Sequence, residues 1–237
     1  MTKIIERDSV PEKKSANLMI AIYAVILLAK ILEMVNSYVI TYVKSDLFQT
    51  FSNFVDMAYK ILIIAIFSYG VIQALRKILS PQRMGGVIIA HDITCFLYDI
   101  WIMHFYWSSD NYQTNSLLLK TVIYTEIILI LMGVRAALSF IYFFRKSDKK
   151  VFPVLIIAIS MFICINNLGS IITTIKYAVY ESSMGLISNP LALTSLIKLA
   201  AGILFSVLVI YQVIILYTKQ KPVTDIMVGQ EETSPVK

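Results

Sequence analysis

The chain has 237 residues, 58% of them hydrophobic and 15% charged, with a formal net charge of +6 and a mean hydropathy of +0.74. That balance is too apolar for a soluble domain of this length. Six apolar stretches leave only two tails and five short loops, which excludes a separate soluble catalytic, nucleotide-binding or DNA-binding domain.

A helix needs about 20 apolar residues to cross a hydrocarbon layer ~30 Å thick. In chain order, the runs that satisfy this cover residues 17–43, 52–75, 87–107, 117–144, 151–177 and 191–217. The third carries two Asp, which cost roughly 5 to 7 kcal/mol on the insertion scale and are partly offset by its Leu, Ile, Phe and Trp. The expected fold is all-α: a polytopic membrane helical bundle of six transmembrane helices. Residues 1–16 form an expected cytoplasmic N-terminal tail, 17–217 the transmembrane domain, and 218–237 a disordered cytoplasmic C-terminal tail.

Loop charge sets the expected orientation. Fourteen basic residues, from Lys3 and Arg7 through Arg76, Lys77, Arg83, Arg145 and Lys146 to Lys237, fall on one side of a six-span chain, against Lys44, Lys120 and Lys176 on the other. By the positive-inside rule both termini then face the cytoplasm, and removing the third span would destroy the asymmetry. The positive excess is read as a topology signal with anionic-lipid contact, not as a nucleic-acid footprint. Integral insertion in the plasma membrane is the expected location, and the first span, too long for an ordinary signal core, is expected to stay as an anchor.

Cys95 and Cys164 fall at mid-membrane depth, where they behave as small apolar residues. The first two outer loops carry a similar run, 45–52 and 109–116, suited to turns and caps. All six prolines lie outside the spans or at their starts, with Pro81 placed outside the third, and glycine is sparse within them. Continuous helices are therefore expected, with Gly133 beside Ala137 and Gly202 beside Ser206 as close helix contacts.

The informative residues are the ionisable ones inside the spans: Lys30, Glu33, Asp56, Lys60, His91, Asp92, Asp99, Glu126, Arg135 and Lys198, with His104 near one edge. Each charge costs roughly 2.5 to 3.5 kcal/mol at the membrane centre, so it should face the bundle interior, a partner or a wet cavity. A rise of ~1.5 Å per residue places Asp92 level with Arg135, Glu33 with Lys60, Lys30 close to Asp99, and Glu126 near Lys198. Asp56 lies one turn from Lys60 on the same helix.

Chemistry is limited by this inventory. His91, Cys95 and Asp99 form one stripe, but ligands spread over ~12 Å of one helix cannot converge on one ion. His91 and His104 are ~20 Å apart along one helix and cannot be the axial pair of a haem. Serine proteolysis lacks a Gly-x-Ser-x-Gly elbow, and an aspartyl dyad lacks two Asp at one depth on separate helices. No catalytic residue, metal site or cofactor is expected. The expected role is an assembly, structural or regulatory membrane component with buried intramembrane ion pairs. The alternative is a transporter or channel for an ion or small polar solute through a cavity lined by the same residues. The expected partners are the lipid bilayer and, for an assembly component, other membrane subunits or further copies of the chain, with no nucleic acid.

Overall fold

The structure, a computed structural model, describes residues 13–41, 47–76, 80–107, 116–145, 150–176 and 190–219, with side chains over 15–36, 54–76, 80–102, 126–145, 150–176 and 192–218. These residues form six helices: α1 (Lys13–Thr41), α2 (Leu47–Leu75), α3 (Pro81–Trp107), α4 (Ser116–Phe144), α5 (Val151–Lys176) and α6 (Pro190–Lys219). Each contains a segment of 19 to 27 residues long and apolar enough to cross a membrane. The architecture is an all-helical bundle compatible with membrane insertion.

Three helix starts differ from the sequence reading. α1 begins at Lys13, inside the expected tail, and α2 at Leu47, so most of the first loop run is helical. Its counterpart at 109–115 lies outside the described residues, as do 1–12 and 220–237 of the tails. α3 begins at Pro81, six residues before the expected start at Val87. Ser80 explains this, because its Oγ accepts a hydrogen bond from the Arg83 backbone N–H at 3.3 Å and caps the helix. Proline then fits the first turn, where its missing N–H costs nothing. Pro81 is thus the start of the third helix, and the polar residues Gln82 and Arg83 had masked it.

The helices pack in a ring in chain order, α6 closing against α1, with a further contact between α3 and α6 across the middle. Neighbours are antiparallel. On α3 and α4, Gly85 faces Phe143 and Gly133 faces Phe96, while on α6 and α1 Thr194 meets Asn36 near one end and Gln212 meets Tyr23 toward the other. The ring therefore has a terminal end, where α1 starts and α6 finishes, and a far end, where α1, α3 and α5 finish and α2, α4 and α6 start.

Polarity is distributed as lipid demands. Leu28, Ile61, Leu97, Ile130, Val154 and Ile165 point outward and are each more than half exposed, whereas Lys30, Glu33, His91, Asp92, Arg135, Ser160 and Gln212 are buried. Water would favour the reverse arrangement, and a hydrocarbon solvent favours this one. On α5 and α6, the hydroxyls of Thr173, Thr174 and Thr218 donate to carbonyls one turn earlier, the standard way to satisfy a threonine where no water competes.

Close approach depends on small residues. A Cβ on Gly85 would stand 2.5 Å from Phe143 Cβ, and one on Gly202 would stand 2.6 Å from Asn167 Nδ2. Gly85, which lay outside the expected third span, sets the α3–α4 spacing and so positions the buried pair described next.

Candidate functional site

Arg135 on α4 lies over Asp92 on α3. Its Nε donates to Asp92 Oδ2 at 2.8 Å and its Nη2 to Oδ1 at 2.8 Å, a two-pronged match between guanidinium and carboxylate. Nη1 donates to Ser160 Oγ on α5 at 3.2 Å, and the guanidinium carbon lies 5.5 Å from the Phe205 ring centre of α6. One cation thus touches three other helices, and both charged side chains are sealed, at 1% and 0% exposure.

His91 bridges this pair to a second polar group. Its Nδ1 lies 3.0 Å from Asp92 Oδ1. A carboxylate held by Arg135 has no hydrogen to give, so Nδ1–H is the donor, and in the neutral imidazole Nε2 is left as an acceptor. Nε2 faces Cys95 Sγ at 3.6 Å, and Cys95 Sγ faces the Tyr59 hydroxyl of α2 at 3.5 Å. Tyr59 stacks on Tyr98, with ring centres 3.8 Å apart. The Tyr98 hydroxyl donates to Asp56 Oδ1 at 2.6 Å, and Asp56 pairs with Lys60. Phe67 and Phe205 pack on the imidazole, with ring centres at 5.5 and 3.9 Å.

The far half is organised differently. Lys30 Nζ pairs with Glu33 at 2.7 Å, three residues away on α1, and Lys60 pairs with Asp56, four residues away on α2. The equal-depth match of Glu33 with Lys60 therefore resolves into two pairs, each within one helix. Asp99 lies in the electrostatic reach of Lys198, His91 and Lys30, and Lys198 in that of Asp99, Glu33 and Asp56. Neither Asp99 nor Lys198 has an oppositely charged atom within 4.0 Å among the described residues. Lys198 is exposed and Asp99 half-buried. Glu126 on α4 is half-buried and engaged.

All ten residues singled out from sequence thus sit in the described part of the bundle. They separate into a sealed layer of Asp92, Arg135 and His91, and a far-half set of Lys30, Glu33, Asp56, Lys60, Asp99 and Lys198, with Glu126 on α4. No cluster of three or more His, Cys, Asp or Glu side chains suited to a metal ion occurs among the described residues. Tyr59, Tyr98 and Ser160 were missed, because a tyrosine or serine in an apolar run reads as core. A signal existed: Tyr59 lies three residues after Asp56, and Tyr98 three after Cys95, placing each on a polar helix face.

Among known families, curated proteins and solved structures, none matches this chain.

Proposed function

We propose that this is an integral membrane protein that binds and passes an ion or small polar solute through its far half, without covalent chemistry. The reading reverses the order of the two roles expected from sequence. The observation that carries it is that the far-half ion pairs are intrahelical. Lys30 with Glu33, and Asp56 with Lys60, neutralise each other on their own helices, and a pair within one helix does nothing to hold two helices in register. Charges that cost several kcal/mol in hydrocarbon yet find their counter-charges on their own helices point to polar surroundings. Exposed Lys198 and half-buried Asp99, which act on each other electrostatically without forming an ion pair, supply a separated positive and negative group around which a solute can sit.

The basic loops orient this arrangement. With both termini in the cytoplasm, the far half opens outward, and the sealed Asp92–Arg135 layer with Phe67 and Phe205 closes the inner side. The plasma membrane suits that orientation. A second reading, a structural or assembly component, is favoured by the Asp92–Arg135–Ser160 contacts, which join three helices.

Thiol labelling separates the two. In full-length protein with Cys95 and Cys164 changed to Ser, Lys198→Cys and Asp99→Cys are exposed to a small water-soluble thiol reagent from outside. Both should react. Silence at both positions in a folded, inserted protein would leave the structural reading in place. Reporter fusions to both tails test orientation, and an external carboxyl terminus would overturn it.

A further inference from the structure

We propose that Tyr59, Cys95 and His91 form a proton relay from the far half of the bundle to the Asp92–Arg135 pair, so that the proton is an ion this protein takes up. The inference rests on the wet far half proposed above, because water there supplies the proton. It stands on the contacts themselves. Tyr59 Oη, Cys95 Sγ, His91 Nε2 and Nδ1, and Asp92 Oδ1 follow one another at 3.5, 3.6 and 3.0 Å. With the imidazole neutral and Nδ1–H committed to Asp92, the arrangement that satisfies every group has Tyr59 donating to the thiol and the thiol donating to Nε2. All the hydrogens then point toward Asp92, and each donor is polarised by the next.

The transfer balances without any oxidant or reductant. A proton from water forms a new O–H bond at Tyr59 while the original hydroxyl hydrogen passes to Cys95 Sγ. The original thiol hydrogen passes to His91 Nε2. Two O–H bonds, one in the hydronium ion that supplies the proton and is left as water and one in Tyr59, break together with one S–H bond, while one O–H, one S–H and one N–H bond form. The sum is one proton moved from water to the imidazole, which becomes a cation.

The surroundings decide what that charge does. From α3, Asp92 and Cys95 flank His91 and Asp99 acts on it from two turns away. From α2 come Tyr59, through the thiol, and the Phe67 ring. From α4 comes Arg135, across Asp92, and from α6 the Phe205 ring, with Lys198 beyond it beside Asp99. An imidazolium makes two cations share one carboxylate, since Asp92 Oδ1 already accepts from Arg135 Nη2. The hold of Arg135 on Asp92 weakens, and the tie between α3 and α4 loosens. His91 is thus placed to convert proton arrival in the far half into a change at the layer that closes the bundle.

Nitrogen-15 labelled histidine reads this directly, because the chain contains two histidines and His104→Gln leaves the His91 signal alone. The full chain is placed in lipid vesicles and its imidazole nitrogens are followed by NMR. His91 should change protonation between about pH 5 and pH 9 and exchange its N–H with water. Tyr59→Phe and Cys95→Ala each remove one link while keeping shape, and should slow that exchange about tenfold or more. Cys95→Ser keeps a donor and acceptor and should stay close to the unaltered protein. A His91 fixed in one protonation state over the whole range, or Tyr59→Phe and Cys95→Ala exchanging at the unaltered rate, would overturn the relay. The unaltered chain can overturn it without any variant, so a failure to fold at one position does not protect the idea. Labelling at position 198 without exchange at His91 breaks the relay alone, whereas exchange without labelling breaks the solute cavity alone.

Discussion

The two polar regions of this bundle use the same residue types for opposite purposes. Near the middle, Asp92 and Arg135 come from different helices, reach a third through Ser160, and are closed off from every side. In the far half, Lys30–Glu33 and Asp56–Lys60 are each drawn from a single helix, α1 and α2, and Asp99 and Lys198 act on each other without an ion pair. The first arrangement ties helices together through its ion pair, whereas the far-half ion pairs stay within their own helices and α2 meets α3 there through the Tyr98–Asp56 hydrogen bond. A buried charge is therefore evidence of structure only when its partner lies across a helix interface, and the spacing of partners along the chain separates the two cases.

The largest expected effect lies in the middle layer. Arg135→Gln or Asp92→Asn strands a buried charge, and each should cost about 3 to 5 kcal/mol in equilibrium unfolding from mild detergent. Because the groups share one interaction, the double variant should lose much less than the sum of the two. Additive losses would remove the contrast on which the comparison rests.

Helix spacing comes next. Gly85→Ala drives a methyl group toward Phe143 Cβ and Cγ, both at 2.5 Å, and should cost about 1 to 3 kcal/mol through overpacking. The neighbouring Gly86 meets nothing within 4 Å, so Gly86→Ala should be neutral or gain up to about 1 kcal/mol from helix propensity. Paired melting curves give the difference, and equal behaviour would mean that α3 and α4 are not in close contact at Gly85.

Ser160→Ala sharpens the tie to α5. It leaves Arg135 Nη1 without its acceptor and should cost about 1 kcal/mol, visible as a lowered melting temperature with Asp92 and Arg135 still paired.

The smallest effect is expected in the far half, and its smallness is the point. Glu33→Gln removes the partner of Lys30. If water reaches the site, the loss should stay below about 1 kcal/mol. A dry site would lose about 3 to 5 kcal/mol, as the middle layer does. Unfolding curves for Glu33→Gln beside Asp92→Asn test the comparison directly.

The sequence by itself determined the number of helices, their order and their approximate limits, because hydrocarbon thickness demands long apolar runs and this chain has six. It also determined which charges lie on the long apolar helices and that Asp92 and Arg135 share a level on α3 and α4, since helical rise is constant. It misjudged the start of α3, where Ser80 capping and Pro81 extend the helix into polar residues. Only the tertiary structure decided that Glu33 turns to Lys30 and Lys60 to Asp56, and that Tyr59 meets Cys95 while Tyr98 meets Asp56. Depth along a helix follows from counting residues. The rotation of each helix about its axis follows from packing at contacts such as Gly85 against Phe143 and Gly202 against Asn167, and that rotation chooses which groups of equal depth come within bonding distance.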